Sequence, residues 1–284
     1  MLQMKRTGIF YHYQTGERLT DFPYAIGDIL NKEGVVFYDA LYQKKLAYGL
    51  EPVTDNLLFK VHSRHMIERV KTSPYYEGVL YSASGTVQAV EKIFVKEIDN
   101  AFVFTGFGDH HAGRDFFGGG CYLNGAALAI ENARTKFGAR RFVIGDTDPH
   151  HGDGTWDIFK GDEDVLYGCF CHSNHPDQNN NIDIRIPSHI SDEEYLENFE
   201  EQFIPRVIEF EPELIFWNFG YDGTQGDYGD IGLTMDCHPR LAKAFRTVAD
   251  RVCKSRLVIV LCGGSSRKIA TYTIPKVIDC LTED

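Results

Sequence analysis

A chain of 284 residues, 43% hydrophobic and 25% charged, has the composition of a globular protein and is long enough for one large α/β core. Its formal charge of -12 repels phosphate backbones and so excludes generic nucleic-acid binding, and no stretch has the apolar length needed to cross a bilayer. The opening residues carry no apolar run behind their charges, so neither a leader nor a membrane anchor is expected and the cytoplasm is the default location.

Short apolar runs rich in β-branched and aromatic residues recur at 34–38, 101–105, 141–145, 165–170, 214–218 and 257–261, and each predicts a buried strand. Helical periodicity marks 63–71, 84–98, 121–137, 192–210 and 238–253. Ser191 or Asp192 opens the fourth of these with an acidic first turn, which suits the positive end of a helix dipole. Strands alternating with helices imply crossover units and a central parallel sheet flanked by helices. No repeat, low-complexity tract or linker divides the chain, so a single domain over 1–284 is expected. In such sheets ligands bind beyond the C-terminal ends of the strands, where the loops diverge.

The polar residues of interest fall at those ends. After the strand at 101–105 comes Gly-Phe-Gly-Asp-His-His-Ala-Gly, whose adjacent His110 and His111 can take and give protons near neutral pH. After the strand at 141–145 comes Asp-Thr-Asp-Pro-His-His-Gly-Asp-Gly-Thr, from Asp146 to Thr155, with three carboxylates and two imidazoles in eight positions. Asp148 and His150 are two apart, so in extended backbone they project to one side and can share an ion, and Asp146 points that way too. Carboxylates so crowded repel one another and need a cation or buried partners. After the strand at 214–218, a glycine-rich loop offers two further acids, Asp222 and Asp227. The seven cysteines are scattered and read as reduced thiols, although Cys169 and Cys171 flank Phe170 at a spacing that lets two thiolates share a metal.

Together these segments resemble the histone deacetylase family, over roughly 61–271, with the Asp-x-Asp-x-His-His-Gly-x-Gly-Thr run as the most specific part. The resemblance implies a single-domain arginase/deacetylase-like α/β fold with a zinc ion at the edge of the parallel sheet. It makes Asp148, His150 and Asp227 the zinc ligands, His110 and His111 the proton-transferring pair, and Asp146 and Asp153 their supporting carboxylates. Gly119 to Asn124 matches the family's segment where a helix begins, and Leu233-Thr234 matches the pair after the third ligand. A zinc-dependent amide hydrolase follows, acting on a small-molecule or peptide acylamine such as acetyl-lysine or acetylpolyamine. His111, oriented by Asp153, would take the proton of the attacking water, with Asp146 holding His110.

The chain departs from the family in three places. Ser266, in the turn Cys-Gly-Gly-Ser-Ser-Arg, stands where the family has the tyrosine that binds the developing oxyanion, and its shorter hydroxyl cannot reach as far, so Tyr228, Tyr272, Arg267 or an ordered water is expected to supply the donor or turnover to be weak. Gly120 replaces an aromatic wall of the acyl tunnel, leaving Phe116, Phe117 or Tyr122 to close it. Gly108-Asp109 replaces a proline before the histidine pair, which puts a carboxylate at the rim as an ordinary turn residue or an attraction for amines. The polar loop with His172 and His175 reads as a solvated loop. Two other readings compete: a catalytically impaired zinc-site protein that binds acyl ligands or partners in a regulatory role, and a two-manganese guanidine hydrolase using Asp146, Asp148 and Asp222.

Overall fold

The computed structural model describes residues 5–12, 29, 32–38 and 53–283. Eight parallel strands form one sheet: β1 (Thr7–Phe10), β2 (Val35–Tyr38), β3 (Asn100–Phe104), β4 (Phe142–Asp146), β5 (Val165–Cys171), β6 (Asn181–Arg185), β7 (Leu214–Phe219) and β8 (Leu257–Leu261). Their spatial order is β2-β1-β3-β8-β7-β4-β5-β6. The α/β class and the parallel sheet flanked by helices are as the sequence implied. Strands β1 (Thr-Gly-Ile-Phe) and β6 (Asn-Ile-Asp-Ile-Arg) are additional to those expected, since neither is a continuous apolar run.

Successive residues of each strand enter opposite cores, because the side-chain period of a strand is two. Val143, Trp217, Phe219 and Ile259 face one core, with the aromatic residues Phe199, Phe203 and Phe245. Phe142, Ile144, Phe216 and Val260 face the other, with Val87, Val90, Ala126 and Leu128. Both faces are therefore apolar, which is why these strands read as unbroken hydrophobic runs.

The helices are α1 (Asp55–Val61), α2 (Arg64–Lys71), α3 (Tyr76–Phe94), α4 (Gly125–Phe137), α5 (Asp153–Phe159), α6 (Asp192–Asn198), α7 (Ile204–Phe210), α8 (Cys237–Cys253) and α9 (Arg267–Thr282). Their starts follow local chemistry. Ser63 accepts a hydrogen bond from the Met66 amide, Asn124 from the Ala127 amide, and Ser191 forms a reciprocal capping box with Glu194. The helix expected over 192–210 is instead α6 and α7 joined by a π-helical turn, Phe199–Phe203. Pro205 lies in the first turn of α7, and the Ile204 amide reaches back to the Phe199 carbonyl.

Gly145 on β4 has the Phe245 and Phe203 rings seated where a side chain would project, 2.6 and 2.9 Å from an ideal Cβ. A methyl group there must push aside packed rings. Gly145→Ala is therefore expected to lower the unfolding free energy by about 1–3 kcal/mol in urea denaturation, with part restored when Phe245→Leu is added to the same chain.

Candidate metal centre

The four central strands β3, β8, β7 and β4 are neighbours, and the loops leaving their C-terminal ends meet. From β4 the chain carries Asp148 and His150, and from β7 it carries Asp222. One donor atom of each of these three lies within 4.8 Å of the others. His150 Nδ1 is 2.9 Å from Asp148 Oδ1 and 3.1 Å from Asp222 Oδ2. From β8, Gly263 passes so close that a Cβ would collide with both carboxylates, and a Cβ on Gly220 would meet Asp148 Oδ2 and Asp222 Oδ1 at 2.5 Å. The absence of side chains at 220 and 263 keeps this cradle open.

Asp222 is completely buried, and although His150 Nδ1 stands 3.1 Å from Oδ2, neither carboxylate oxygen has a well-aligned hydrogen bond among the described residues. Burial first, and the nearby Asp148 second, push its carboxyl up to about 6. Burial also works to raise Asp148, but His110 and His150 outweigh it and hold that carboxyl below its usual range. The hydrogen bond to Asp148 and then the contact with Asp222 lift His150 to about 10. A divalent cation would relieve this crowding, since an oxygen–nitrogen donor set with two carboxylates suits such an ion.

The histidine pair lies beside it. His110 Nδ1 is 3.0 Å from Asp146 Oδ2, and its Nε2 is 3.8 Å from Asp148 Oδ1. Burial disfavours its cation, but Asp146 and Asp148 more than compensate and lift it to about 10. His111 Nδ1 is 2.7 Å from Asp153 Oδ1, at the start of α5. Burial works to raise Asp153, and the bond from His111 overrides it and holds the carboxyl low. The His111 ring rests on Gly119, whose φ of +55° is a left-handed backbone that a side chain would strain as well as obstruct. Gly119 and Gly120 line a cavity of about 290 Å³ that Gly106, Gly108, Cys262, Gly263 and Tyr228 complete.

Two expected site residues have other partners in this structure. Asp227 does not join Asp148 and His150: its carboxylate accepts hydrogen bonds from the Ser265 amide and hydroxyl, the Ser266 amide and the Tyr228 amide. With those donors it serves as the clasp of the 265–266 turn, and Asp222 takes the third place in the cluster. Ser266 lines a separate cavity with Thr224, Gln225 and Met235. Of the alternatives, Tyr272 donates to Asp236 at 2.6 Å, away from the cluster. Tyr228 stacks on His150, ring centroids 5.6 Å apart, and its hydroxyl accepts from the Gly264 amide. Asp109 is neither a rim carboxylate nor a solvated turn residue: it is buried, accepts from the Ala126 amide at the start of α4, and burial pushes its carboxyl up to about 7. Phe117 and Tyr122 stack on each other and do not line the cavity.

Three residues that shape the site carried no signal in the sequence. Tyr167 on β5 donates to Asp146 Oδ2 at 2.8 Å. His62 receives the Asn124 amide on Nε2, which requires its proton on Nδ1, 2.8 Å from the Gly113 carbonyl. It thereby fixes both ends of the loop after the histidine pair. The third is Asp183, which stands with His151, Cys169 and Cys171 as a second group of close donors.

With this geometry in place, the fold and the site define the class of protein. The histone deacetylase domain matches residues 72–281, and the chain belongs to that family. It is 31% identical over 206 residues to a probable deacetylase of Archaeoglobus fulgidus, covering 67% of this chain and 57% of that protein. It is 27% identical over 265 residues to a histone deacetylase-like amidohydrolase of Pseudomonas aeruginosa, covering 81% and 69%. Similarity to the mouse polyamine deacetylase HDAC10 is 26% over 223 residues, 72% of this chain but 33% of that protein. The chain thus spans a little over half of the archaeal relative and a third of the mouse one. The crystal structure of the HDA15 HD domain superposes with a TM-score of 0.85 at 19% identity, covering 98% of this chain and 90% of that one. No helix among the described residues is long and apolar enough to cross a membrane.

Burial pushes His62 down to about 4 from 6.5. The unfolded chain therefore takes up a proton that the folded chain refuses, so this group's stability is full above pH 6.5 and drains as pH falls towards 4. The expected loss is roughly 3 kcal/mol. Urea denaturation at pH 7, 5.5 and 4.5 should show this slope, and His62→Gln should flatten it relative to the parent chain.

Proposed function

We propose that the chain is a zinc-dependent hydrolase of acylated amines, with the ion held by Asp148, His150 and Asp222. The observation that carries this reading is Asp222, a fully buried carboxylate packed against a second carboxylate, Asp148, with the His150 donor between them. When bound, zinc would polarise the acyl carbonyl and acidify water. Asp146 is less suited to ligation, because Tyr167, His110 and the Asp148 amide already donate to it. One ion therefore fits better than the two of a guanidine hydrolase.

The remaining steps fall to the protein's own groups. Both histidines direct Nδ1 at a carboxylate, which fixes their tautomers and leaves Nε2 for proton transfer. His111, a fifth exposed with its ring against Gly119, takes the proton of the attacking water, and Asp153 steadies the imidazolium that results. The more buried His110 sits between Asp146 and Asp148, which favour its cation and suit it to protonate the leaving amine. Tyr228 supplies the oxyanion donor that Ser266 does not: it stacks on His150, and its hydroxyl, which accepts from the Gly264 amide and donates to Asp222, has to turn that proton to the substrate. The glycine-lined cavity and the acidic surface suit a slender, cationic acylamine, such as acetyl-lysine in a peptide or an acetylpolyamine.

Acetyl-lysine peptides and acetylpolyamines should be hydrolysed by zinc-loaded protein and not after chelation. His111→Ala should lower turnover by ~10²–10⁴ and Tyr228→Phe by ~10²–10³. Asp222→Asn should weaken zinc binding by more than the ~100-fold that losing a supporting partner costs, while Asp227→Asn leaves affinity nearly intact. A second reading is favoured by the position of Ser266: an acyl-binding zinc protein in a regulatory role. Calorimetric binding of an acetylated ligand with no product from any acylamine would establish that reading against the first.

A further inference from the structure

His151 follows His150 directly but turns to other partners. Its Nδ1 lies 3.4 Å from Cys171 Sγ and 3.5 Å from Cys169 Sγ, and Cys171 Sγ is 3.5 Å from Asp183 Oδ1. The two sulfurs are 2.8 Å apart. One donor atom from each of the four residues lies within 4.8 Å of every other. Cys169 and Cys171 share a face of β5 because they are two residues apart, and Asp183 stands beside Cys169 on the neighbouring strand β6.

We propose that His151, Cys169, Cys171 and Asp183 form a second metal site, closed and structural, for a zinc-class ion. Bond lengths of ~2.0–2.3 Å in a tetrahedron put donors roughly 3.3–3.8 Å apart, and three of the four distances above already match. Of these four, the sulfur pair must open, by about an ångström, and the two remaining pairs, within 4.8 Å, close by at most a similar amount. Two thiols, an imidazole and a carboxylate are a soft-to-borderline set that selects zinc over magnesium or calcium. Four protein donors leave no position for substrate, which separates this site from the Asp148, His150 and Asp222 centre.

The surroundings favour ligation. Asp183 Oδ2 accepts from the His175 amide at 2.8 Å and the Ser173 hydroxyl at 2.9 Å, which turns Oδ1 towards Cys171. His175 stacks on His151 with ring centroids 4.3 Å apart, and Trp156 packs against both. Such supporting contacts hold ligand orientation. Binding releases the two thiol protons to solvent and ties β5, β6 and the loop carrying His150 to one point.

The test is cobalt loading of the reduced, metal-free full chain, read by absorption and by metal content. Wild type should bind one cobalt per site and show a thiolate-to-cobalt charge-transfer band. Cys169→Ser/Cys171→Ser should lose that band and one of the ions, whereas Asp148→Asn should keep the band and lose the other ion. Should the double variant fail to fold, judged by circular dichroism, Asp183→Asn replaces it, and a cobalt affinity weaker by more than the ~100-fold cost of losing a supporting partner is expected with the band retained. No band in wild type, a band that survives the double variant, unchanged affinity in Asp183→Asn, or a Cys169–Cys171 disulfide found in place of metal uptake would overturn the proposal. The band is independent of turnover, so an inactive protein that shows it leaves this site standing while counting against the hydrolase.

Discussion

Three carboxylates, Asp146, Asp148 and Asp222, are buried where β4 and β7 end, and much of the surrounding architecture follows from the cost of placing them there. An ionised carboxylate removed from water is tolerated only with partners close at hand. Each is accommodated differently. Asp146 collects a tyrosine hydroxyl, a histidine and a backbone amide. Asp148 is balanced by two imidazoles. Among the described residues Asp222 meets only the His150 ring and the Tyr228 hydroxyl beside a second carboxylate, Asp148, which makes it the least neutralised of the three.

The sheet makes this crowding achievable. Parallel strands end together, and the order β3-β8-β7-β4 brings four loops distant in sequence to one edge. Bulk is withheld where loops converge: Gly220 and Gly263 leave room above Asp148 and Asp222, and Gly119 leaves room beside His111. Positioning falls to hydrogen bonds that tie the loops together. His62 joins the Gly113 carbonyl to the Asn124 amide, and Asp227 gathers the turn between β8 and α9. Exchange of the loop residues would alter chemistry, whereas loss of these clasps would alter geometry.

What was legible in the sequence follows the same division. The β4 motif could be read from its spacing, although the chain leaves the strand at Asp146 and bends through 148–150, where the Asp148 and His150 amides bond the carboxylates two residues before them. The pairing of His110 with Asp146 and of His111 with Asp153 followed from family resemblance and appears in the geometry. The choice between Asp222 and Asp227 was not legible: both lie on a loop whose path is set by glycines and by amides from 265–266, contacts 38 and 39 residues away in sequence. Tyr167 was hidden for another reason, since an aromatic residue in a buried strand reads as core until its hydroxyl is seen to find Asp146. The π-helical turn at Phe199–Phe203 likewise interrupts a pattern that reads as one helix, because periodicity does not register a single skipped backbone bond.

Adjacent histidines recur at this edge, and the two pairs are used in opposite ways. His110 and His111 have ring centroids 4.1 Å apart and face a common centre, each backed by its own carboxylate. His150 and His151 diverge: the first meets Asp148 and Asp222, the second meets the thiols of β5. The divergence is required by the sheet. β5 lies beside β4 on the side away from β7, so a loop leaving β4 has carboxylates from β7 on one flank and cysteines from β5 on the other. Consecutive side chains can reach both flanks only by pointing apart. The loop's position is thus determined from two directions at once, and any rearrangement at the β5–β6 edge is transmitted to His150 through a single peptide bond.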